Sequence, residues 1–327
     1  PEVFELDPDK LGLPNLNIPA GSTFSATGVL GFEFSHYEFW PSELTVTEAP
    51  LPVAVRRQTR DEATVGSLNV LRLFDDVDDP TSLSAIGETR NDFVASTDDY
   101  NRRLVKLATH IVDVMRTPDI LAIQEVESLG VLEDLAAAIS AQDPRTKYKA
   151  YLIEGNDIGT IDVGFLVQKR VKVKSVTQLG ANEIFDFDNS ALHDRPPLLI
   201  DAILDEDLRV KVMVLHMRSL NGIEEERVQR KRLAQALSVA QMVQDIQRKK
   251  NVKLVVLGDF NAFEFTDGYV DVAGIIMGDF NPADSLVCSF ASCPDIVQQD
   301  LTNQVLNIDP NERYSFIFRD TFNVAGS

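Results

Sequence analysis

One stretch constrains this chain more than any other: Lys253-Leu254-Val255-Val256-Leu257-Gly258-Asp259-Phe260-Asn261, an apolar, β-branched run that ends abruptly in a polar turn. Such a run, bounded by glycine, reads as a strand covered on both faces. Asp259 and Asn261 stand two apart, so in extended backbone a carboxylate and a carboxamide share one face. A carboxylate orients a water or holds Mg²⁺, and a carboxamide donates to a phosphate oxygen while accepting from its neighbours. Turn chemistry alone also explains a Gly-Asp-Phe-Asn sequence, so its meaning depends on what the rest of the chain brings to it.

The chain has 327 residues, 44% hydrophobic and 25% charged, enough for one large domain with or without a small one. No apolar run approaches the roughly 18 residues of a membrane-spanning helix. Thirty-one basic residues against 51 acidic ones give a formal net charge of −20. That balance argues against sequence-blind binding of nucleic acid through surface charge, although not against an enzyme that meets phosphate through a metal ion and a few arginines. It also suits a secreted protein in a salty medium. The chain starts at Pro1 with no signal peptide, which reads as a processed product. Cys288 and Cys293 are spaced for a short-range disulfide, favouring an oxidising compartment, with two buried thiols as the alternative. A zinc site is disfavoured because no further Cys or His lies near them in sequence.

Residues 1–62 have the character of a β-rich segment followed by a connector. Thr27-Gly28-Val29-Leu30-Gly31-Phe32-Glu33-Phe34 alternates like a strand, His36 to Trp40 starts another, and Pro41, Pro50 and Pro52 follow. The aromatic residues there, Phe32, Phe34, Tyr37, Phe39 and Trp40, read as packing rather than as a base-stacking platform. From residue 63 onward strands alternate with helices. Strands are expected at 64–74, 119–126, 148–154, 163–168, 171–179, 198–204, 209–217 and 253–257, and helices from Ser96 or Thr97 to Met115, over 129–141 and over 224–249. The first helix carries Leu104, Leu107, Ala108, Ile111, Val112 and Met115 on one stripe. The last is acidic at its start and basic at its end, as the helix dipole favours. This βα start, β-rich middle and βα return predicts an α/β four-layer αββα sandwich of two packed mixed sheets with outer helices. A single doubly wound sheet is disfavoured by the strands that follow one another without helices. The acidic loop Asp75 to Asp79 reads as solvated, having no EF-hand spacing.

Polar groups gather at or beside strand ends. Asn69 lies within the first strand, Gln124-Glu125 closes the second, and His216 follows Val212-Met213-Val214-Leu215. A buried carboxamide needs partners, and a carboxylate at such a place is costly unless it is paired or metal-bound. Each residue alone has a bland explanation as an edge, cap or core residue, but sites collect such groups.

Ser67-Leu68-Asn69-Val70, Asp119 to Val126, Arg195-Pro196-Pro197-Leu198, Leu215-His216-Met217-Arg218-Ser219 and Gly258-Asp259-Phe260-Asn261 occur in this order. Together they resemble the endonuclease/exonuclease/phosphatase superfamily, the deoxyribonuclease I-like enzymes, and within it the secreted bacterial nucleases that carry an OB-like module ahead of the catalytic domain. The resemblance covers about Thr64 to Phe318, with residues 1–62 as the remnant of the preceding module. It implies metal-dependent phosphodiester hydrolysis with Mg²⁺ or Mn²⁺, and Ca²⁺ as a further candidate, on DNA or RNA outside the cell. Phosphatase or phospholipid phosphodiesterase action within the same superfamily is the alternative. Residue by residue, it implies that Glu125 with Asn69 holds the metal and that Arg195 lies near the scissile phosphate. It further implies that Asp162 pairs with His216 and favours its imidazolium, and that Asp259 and Asn261 orient water and bind phosphate. On this basis Glu125→Gln weakens ion binding and Asp259→Asn spares it.

Two features depart from the resemblance. A second Gly-Asp-Phe-Asn at residues 278–281 follows no convincing strand and reads as a turn. The superfamily's closing Asp-His elements have no counterpart: the histidines are His36, His110, His193 and His216. The expectation is therefore a poor catalyst, its closing segment supplied by a longer parent chain or a second polypeptide, or else an inactive scaffold.

Overall fold

The structure is a computed structural model that describes residues 5–16, 18, 22–33, 36–47, 53–79, 82–83, 89–90, 93–205, 208–249, 252–309, 313, 316–317 and 325–326. It divides into two units, Pro1–Ala54 with Phe316–Ala325, and Val55–Ser315 with Gly326–Ser327.

In the first unit Thr23–Glu33 (β1) and His36–Thr47 (β2) form an antiparallel hairpin, and Glu5–Leu6 joins β2 in parallel. The register shifts at Thr27/Gly28, where a Cβ on Gly28 would lie 2.1 Å from the Trp40 carbonyl oxygen. The expected packing role fits Trp40, whose indole covers Gly31. It does not fit Phe32 and Tyr37, which meet edge to face at 5.1 Å yet stay 60% and 63% exposed. Pro41, expected in the connector, lies inside β2 opposite Gly28. Phe34, Pro50 and Pro52 lie outside the described residues.

Residues 55–62, also assigned to the connector by composition, belong to the second unit. There the Val55 amide donates to the Val114 carbonyl at 2.9 Å and Gln58 Nε2 donates to Asp119 Oδ2 at 2.8 Å. The second unit runs β3 (Val65–Leu73), α1 (Thr97–Thr109), β4 (Ile120–Val126), α2 (Leu129–Gln142), β5 (Tyr148–Leu152), β6 (Asp162–Gln168), β7 (Lys172–Gln178), β8 (Leu198–Asp205), β9 (Leu208–His216), α3 (Glu226–Gln247), β10 (Lys253–Asp259) and α4 (Val272–Met277). Serines start the first two helices. Ser96 Oγ accepts from the Asp99 amide and Ser128 Oγ from the Val131 amide, each satisfying a donor the helix leaves open.

Two mixed sheets result, ordered β3-β4-β6-β5 and β7-β8-β9-β10. Three apolar clusters define four layers. Leu121, Ile123 and Leu166 pack outward against Leu104, Ile111, Leu132 and Leu135 of α1 and α2. Ile120, Ala122, Phe165, Ile200, Val212 and Val214 fill the space between the sheets. Met213 and Leu215 pack outward against Leu233, Ala236 and Val239 of α3. The alternation of side chains along each strand thus builds the αββα sandwich that the pattern predicts.

The strand Lys253–Asp259 differs from expectation in one respect. β10 is half-buried rather than fully covered. Leu254 and Val256 face the helix side and Val255 and Leu257 the inter-sheet core, but among the described residues β10 pairs only with β9 and is a sheet edge. The second Gly-Asp-Phe-Asn is a turn, as expected: Gly278, in left-handed backbone, ends α4, and Asn281 caps the short turn at Pro282–Asp284. Cys288 and Cys293 form a disulfide, resolving the choice left open by their spacing.

Gly258 has φ 129°, and a Cβ there would lie 2.1 Å from the Leu215 carbonyl oxygen. Gly268 has φ 84° with open space around it. Gly268→Ala should cost about 1 kcal/mol for its backbone conformation alone, and Gly258→Ala about 3 kcal/mol or more because strain and backbone collision add. Urea unfolding of the two variants checks the difference.

Buried His193 donates from Nε2 to Ser238 Oγ at 3.0 Å, and Ser238 Oγ donates to Glu183 Oε2 at 2.7 Å. Burial is the main cause that pushes its pKa down from 6.5 to about 4, opposed by Asp194 and assisted by Lys231. A folded pKa below the unfolded one means that stability is complete above the unfolded value and declines as pH falls toward about 4. Between about pH 7 and about pH 5 this group should remove about 2 kcal/mol, and His193→Gln should flatten that share of the slope in urea unfolding.

Candidate active site

Two backbone irregularities aim the first half of the site. The parallel pairing of β3 and β4 jumps between Asn69 and Leu73, and the pairing of β4 with β6 jumps between Gln124 and Val126. Leu71, Arg72 and Glu125 take positive φ of 54°, 55° and 63°, so the strands bulge where an ideal ladder would continue. The bulge turns Glu125 out of the alternation. Asn69 Nδ2 donates to Glu125 Oε1 at 2.9 Å, while Asn69 Oδ1 accepts from the Leu71 amide at 2.8 Å. Arg103 of α1 donates to the carbonyls of Val70, Leu71 and Arg72, covering the bulge.

The second half lies at the C-terminal ends of parallel β9 and β10, where His216 stands opposite Asp259. Gly258 lets the two backbones close, and the Met217 amide donates to the Asp259 carbonyl at 2.9 Å. Asn261, at φ 47°, donates its amide to Asp259 Oδ1 at 2.9 Å and its Nδ2 to the Met217 carbonyl at 3.1 Å. Asn69 Nδ2 also donates to Asp259 Oδ2 at 3.0 Å, so one carboxamide joins carboxylates from both sheets. His216 Nε2 lies 3.8 Å from Glu125 Oε1 and 4.0 Å from Asp259 Oδ2.

Arg195 donates to Asp157 Oδ2 at 2.6 Å and to the Met217 carbonyl at 3.1 Å, the same oxygen that Asn261 holds, and its buried Nε has no partner. Asp162 is buried and its Oδ1 accepts from the Gly155 amide at 2.8 Å. The pairing of Asp162 with His216 implied by the resemblance is not formed: His216 Nδ1 is buried without a hydrogen-bond partner. The implied imidazolium is corrected as well. Burial, and secondarily the nearby Arg195 charge, hold the His216 pKa well below its ordinary value, so the ring is neutral near neutrality.

Asn69, Glu125, His216 and Asp259 therefore meet directly, Arg195 and Asn261 meet at one carbonyl, and Asp162 stands in register with Val126, next to Glu125. Residues without any sequence motif hold this arrangement. Arg232 of α3, 1% exposed, donates to the carbonyls of Arg218 and Asn261 and pairs with Asp267 at 2.9 Å. Gln235 Oε1 accepts from the Arg218 amide at 2.9 Å. The signal for Arg232 was a charge on the buried face of a helix, four residues after Val228 and four before Ala236.

The donor set suits a divalent cation. One oxygen each from Glu125 and Asp259 and one ring nitrogen of His216 lie within 4.8 Å of one another. Two carboxylates this close repel unless a donor or cation sits between them. Carboxylate oxygens match a hard ion such as Mg²⁺ or Mn²⁺, and a neutral imidazole can complete the set. Asp259 thus lies with Glu125 in the group that could hold an ion, beside the residue to which the resemblance alone gave that role.

Residues 64–274 match the Endonuclease/Exonuclease/phosphatase family. No curated protein matches the chain. Among solved structures, TDP2 from Caenorhabditis elegans is 22% identical over 53% of this chain and 47% of its own, with a TM-score of 0.37. A β-hairpin deletion mutant of beta toxin from Staphylococcus aureus is 16% identical over 66% and 73%, with a TM-score of 0.42. The human Nocturnin catalytic domain with bound sulfate is 18% identical over 55% and 62%, with a TM-score of 0.37. The chain spans about half the length of the nematode protein. The match over most of the sandwich, together with the fold, shows that this chain belongs to the Endonuclease/Exonuclease/phosphatase family, a group of phosphoester hydrolases.

Proposed function

We propose that the second unit is a divalent-cation-dependent phosphodiesterase that cleaves nucleic acid outside the cell. The observation that carries this reading is the cluster of Glu125, His216 and Asp259 bridged by Asn69, with Arg195 beside it at the same strand ends. Hydrolysis of a phosphodiester adds water to phosphorus and breaks one P–O bond, with charge on the nonbridging oxygens to be neutralised. A cation bound by Glu125, Asp259 and His216 supplies Lewis acidity. Arg195 is held rigidly on Asp157 and the Met217 carbonyl, which fixes its positive charge beside the cluster for a phosphate oxygen. The carboxylate of Asp259, whose other oxygen accepts from the Asn261 amide, orients the attacking water in this reading. Asn261 can turn its carboxamide from the Met217 carbonyl to substrate. The Cys288–Cys293 disulfide and the net charge of −20 support an extracellular setting.

Incubation with plasmid, RNA, sphingomyelin and inositol phosphates in Mg²⁺, Mn²⁺ and Ca²⁺ tests the substrate class. Cleavage of nucleic acid is expected. Turnover of the lipid or the monoesters alone would overturn the nuclease reading, and no turnover of any substrate would leave a scaffold. Glu125→Gln and Asp259→Asn should each weaken Mn²⁺ binding in calorimetry by about tenfold or more. His216→Ala should lower turnover by about 10²–10⁴. Wild-type Mn²⁺ affinity in both carboxylate variants would place the ion elsewhere.

A further inference from the structure

Two charged groups on flanking helices reach the site's backbone without belonging to its reacting set. Arg103, on α1, directs its guanidinium at the carbonyls of Val70, Leu71 and Arg72. Arg232, on α3, directs its own at the carbonyls of Arg218 and Asn261. Three of the five belong to residues in left-handed backbone, Leu71, Arg72 and Asn261, and those of residues 70–72 lie where the pairing of β3 with β4 jumps. Carbonyls outside a regular ladder lose their strand partners and need donors from elsewhere. A guanidinium is suited to the task because it presents several N–H donors in one plane and stays charged when buried.

We propose that Arg103 and Arg232 are positioning residues, each setting one half of the site from its own helix layer. Arg103 holds the bulge that aims Asn69 at Glu125. Arg232 joins the loop after His216 to the turn after Asp259, since one guanidinium spans Arg218 and Asn261. Asp267 steadies that guanidinium at 2.9 Å while its Oδ1 accepts from the Tyr269 and Val270 amides, so the loop leaving Asn261 is fastened to the same point. A buried ion pair of this kind is a poor source of net stability, because desolvating both charges offsets their attraction. Its worth lies in geometry. Backbone displacement of about 1 Å at a reacting group costs on the order of 10²-fold in rate, and a lysine at either position offers a point charge that cannot span several carbonyls.

The division of labour makes the proposal testable without turnover. Hydrogen exchange in metal-free Arg232→Lys should quicken about tenfold over residues 217–221 and 259–264 while residues 66–74 keep the wild-type rate, and Arg103→Lys should show the reverse. The double variant Arg232→Met/Asp267→Asn, which removes both charges and so leaves neither buried alone, should exchange as Arg232→Lys does. For turnover, which rests on the reading above, Arg232→Lys should lower kcat by about tenfold to 100-fold with KM within about twofold. Arg103→Lys should instead weaken Mn²⁺ binding about tenfold. If wild-type protein hydrolyses no phosphodiester, that reading fails while the exchange pattern still decides this one. Exchange that is unchanged at both turns, or that rises uniformly with a lowered melting temperature, would overturn it and leave the two arginines a general structural role.

Discussion

The carboxamide of Asn69 is the contact on which the site depends. Its single Nδ2 donates to Glu125, carried by one sheet, and to Asp259, carried by the other. Two carboxylates can be held that close only if something positive or donating lies between them. The separation of the sheets is therefore a chemical quantity as well as a packing one. Ile120, Ala122, Phe165, Ile200, Val212 and Val214 set it, and protein interiors are packed too densely for that spacing to drift.

Departures from ideal strand geometry do the aiming. A regular ladder at Glu125 would return its side chain to one face of the sheet by simple alternation. The positive φ of Glu125 and the bulge opposite it redirect that carboxylate toward the second sheet. Gly258 does the equivalent for β10, where only a residue without a Cβ lets the strand approach Leu215. Such conformations cost energy and persist when surrounding contacts over-determine them. Here those contacts come from the helix layers, through guanidinium groups that answer the displaced carbonyls. Outer layers and site are thus one mechanical unit, although no helix side chain belongs to the Glu125, His216 and Asp259 set.

Burial gives His216 a different character from the one its neighbours suggest. A histidine beside two carboxylates reads as a cation, yet desolvation dominates and the ring stays neutral, with Arg195 adding to the effect. A neutral imidazole is a better partner for a metal ion than an imidazolium, since its ring nitrogen keeps a free lone pair. The carboxylates and the ring are then chemically consistent with one shared cation.

Much of this was legible in the residues alone. Period-two and helical patterns place every long strand and helix of the second unit within a few positions, because burial of one face is a local property of sequence. The polar residues that interrupt apolar strands, Asn69, Glu125, His216 and Asp259, mark the site because a buried polar group demands a reason. The sequence could not state which of them touch. Asn69 and Asp259 are 190 residues apart, and their contact follows from how two sheets stack. Nor could it reveal that His216 faces Glu125 and Asp259 while Asp162 holds the Gly155 amide, that Phe32 and Tyr37 stay exposed, or that Arg232 is a buried clamp. Pairing, desolvation and backbone curvature are properties of the assembled layers, where neighbours remote in the chain supply the missing partners. The residue types were written in the chain, and their distances, charge states and orientations were decided by the packing of the two sheets.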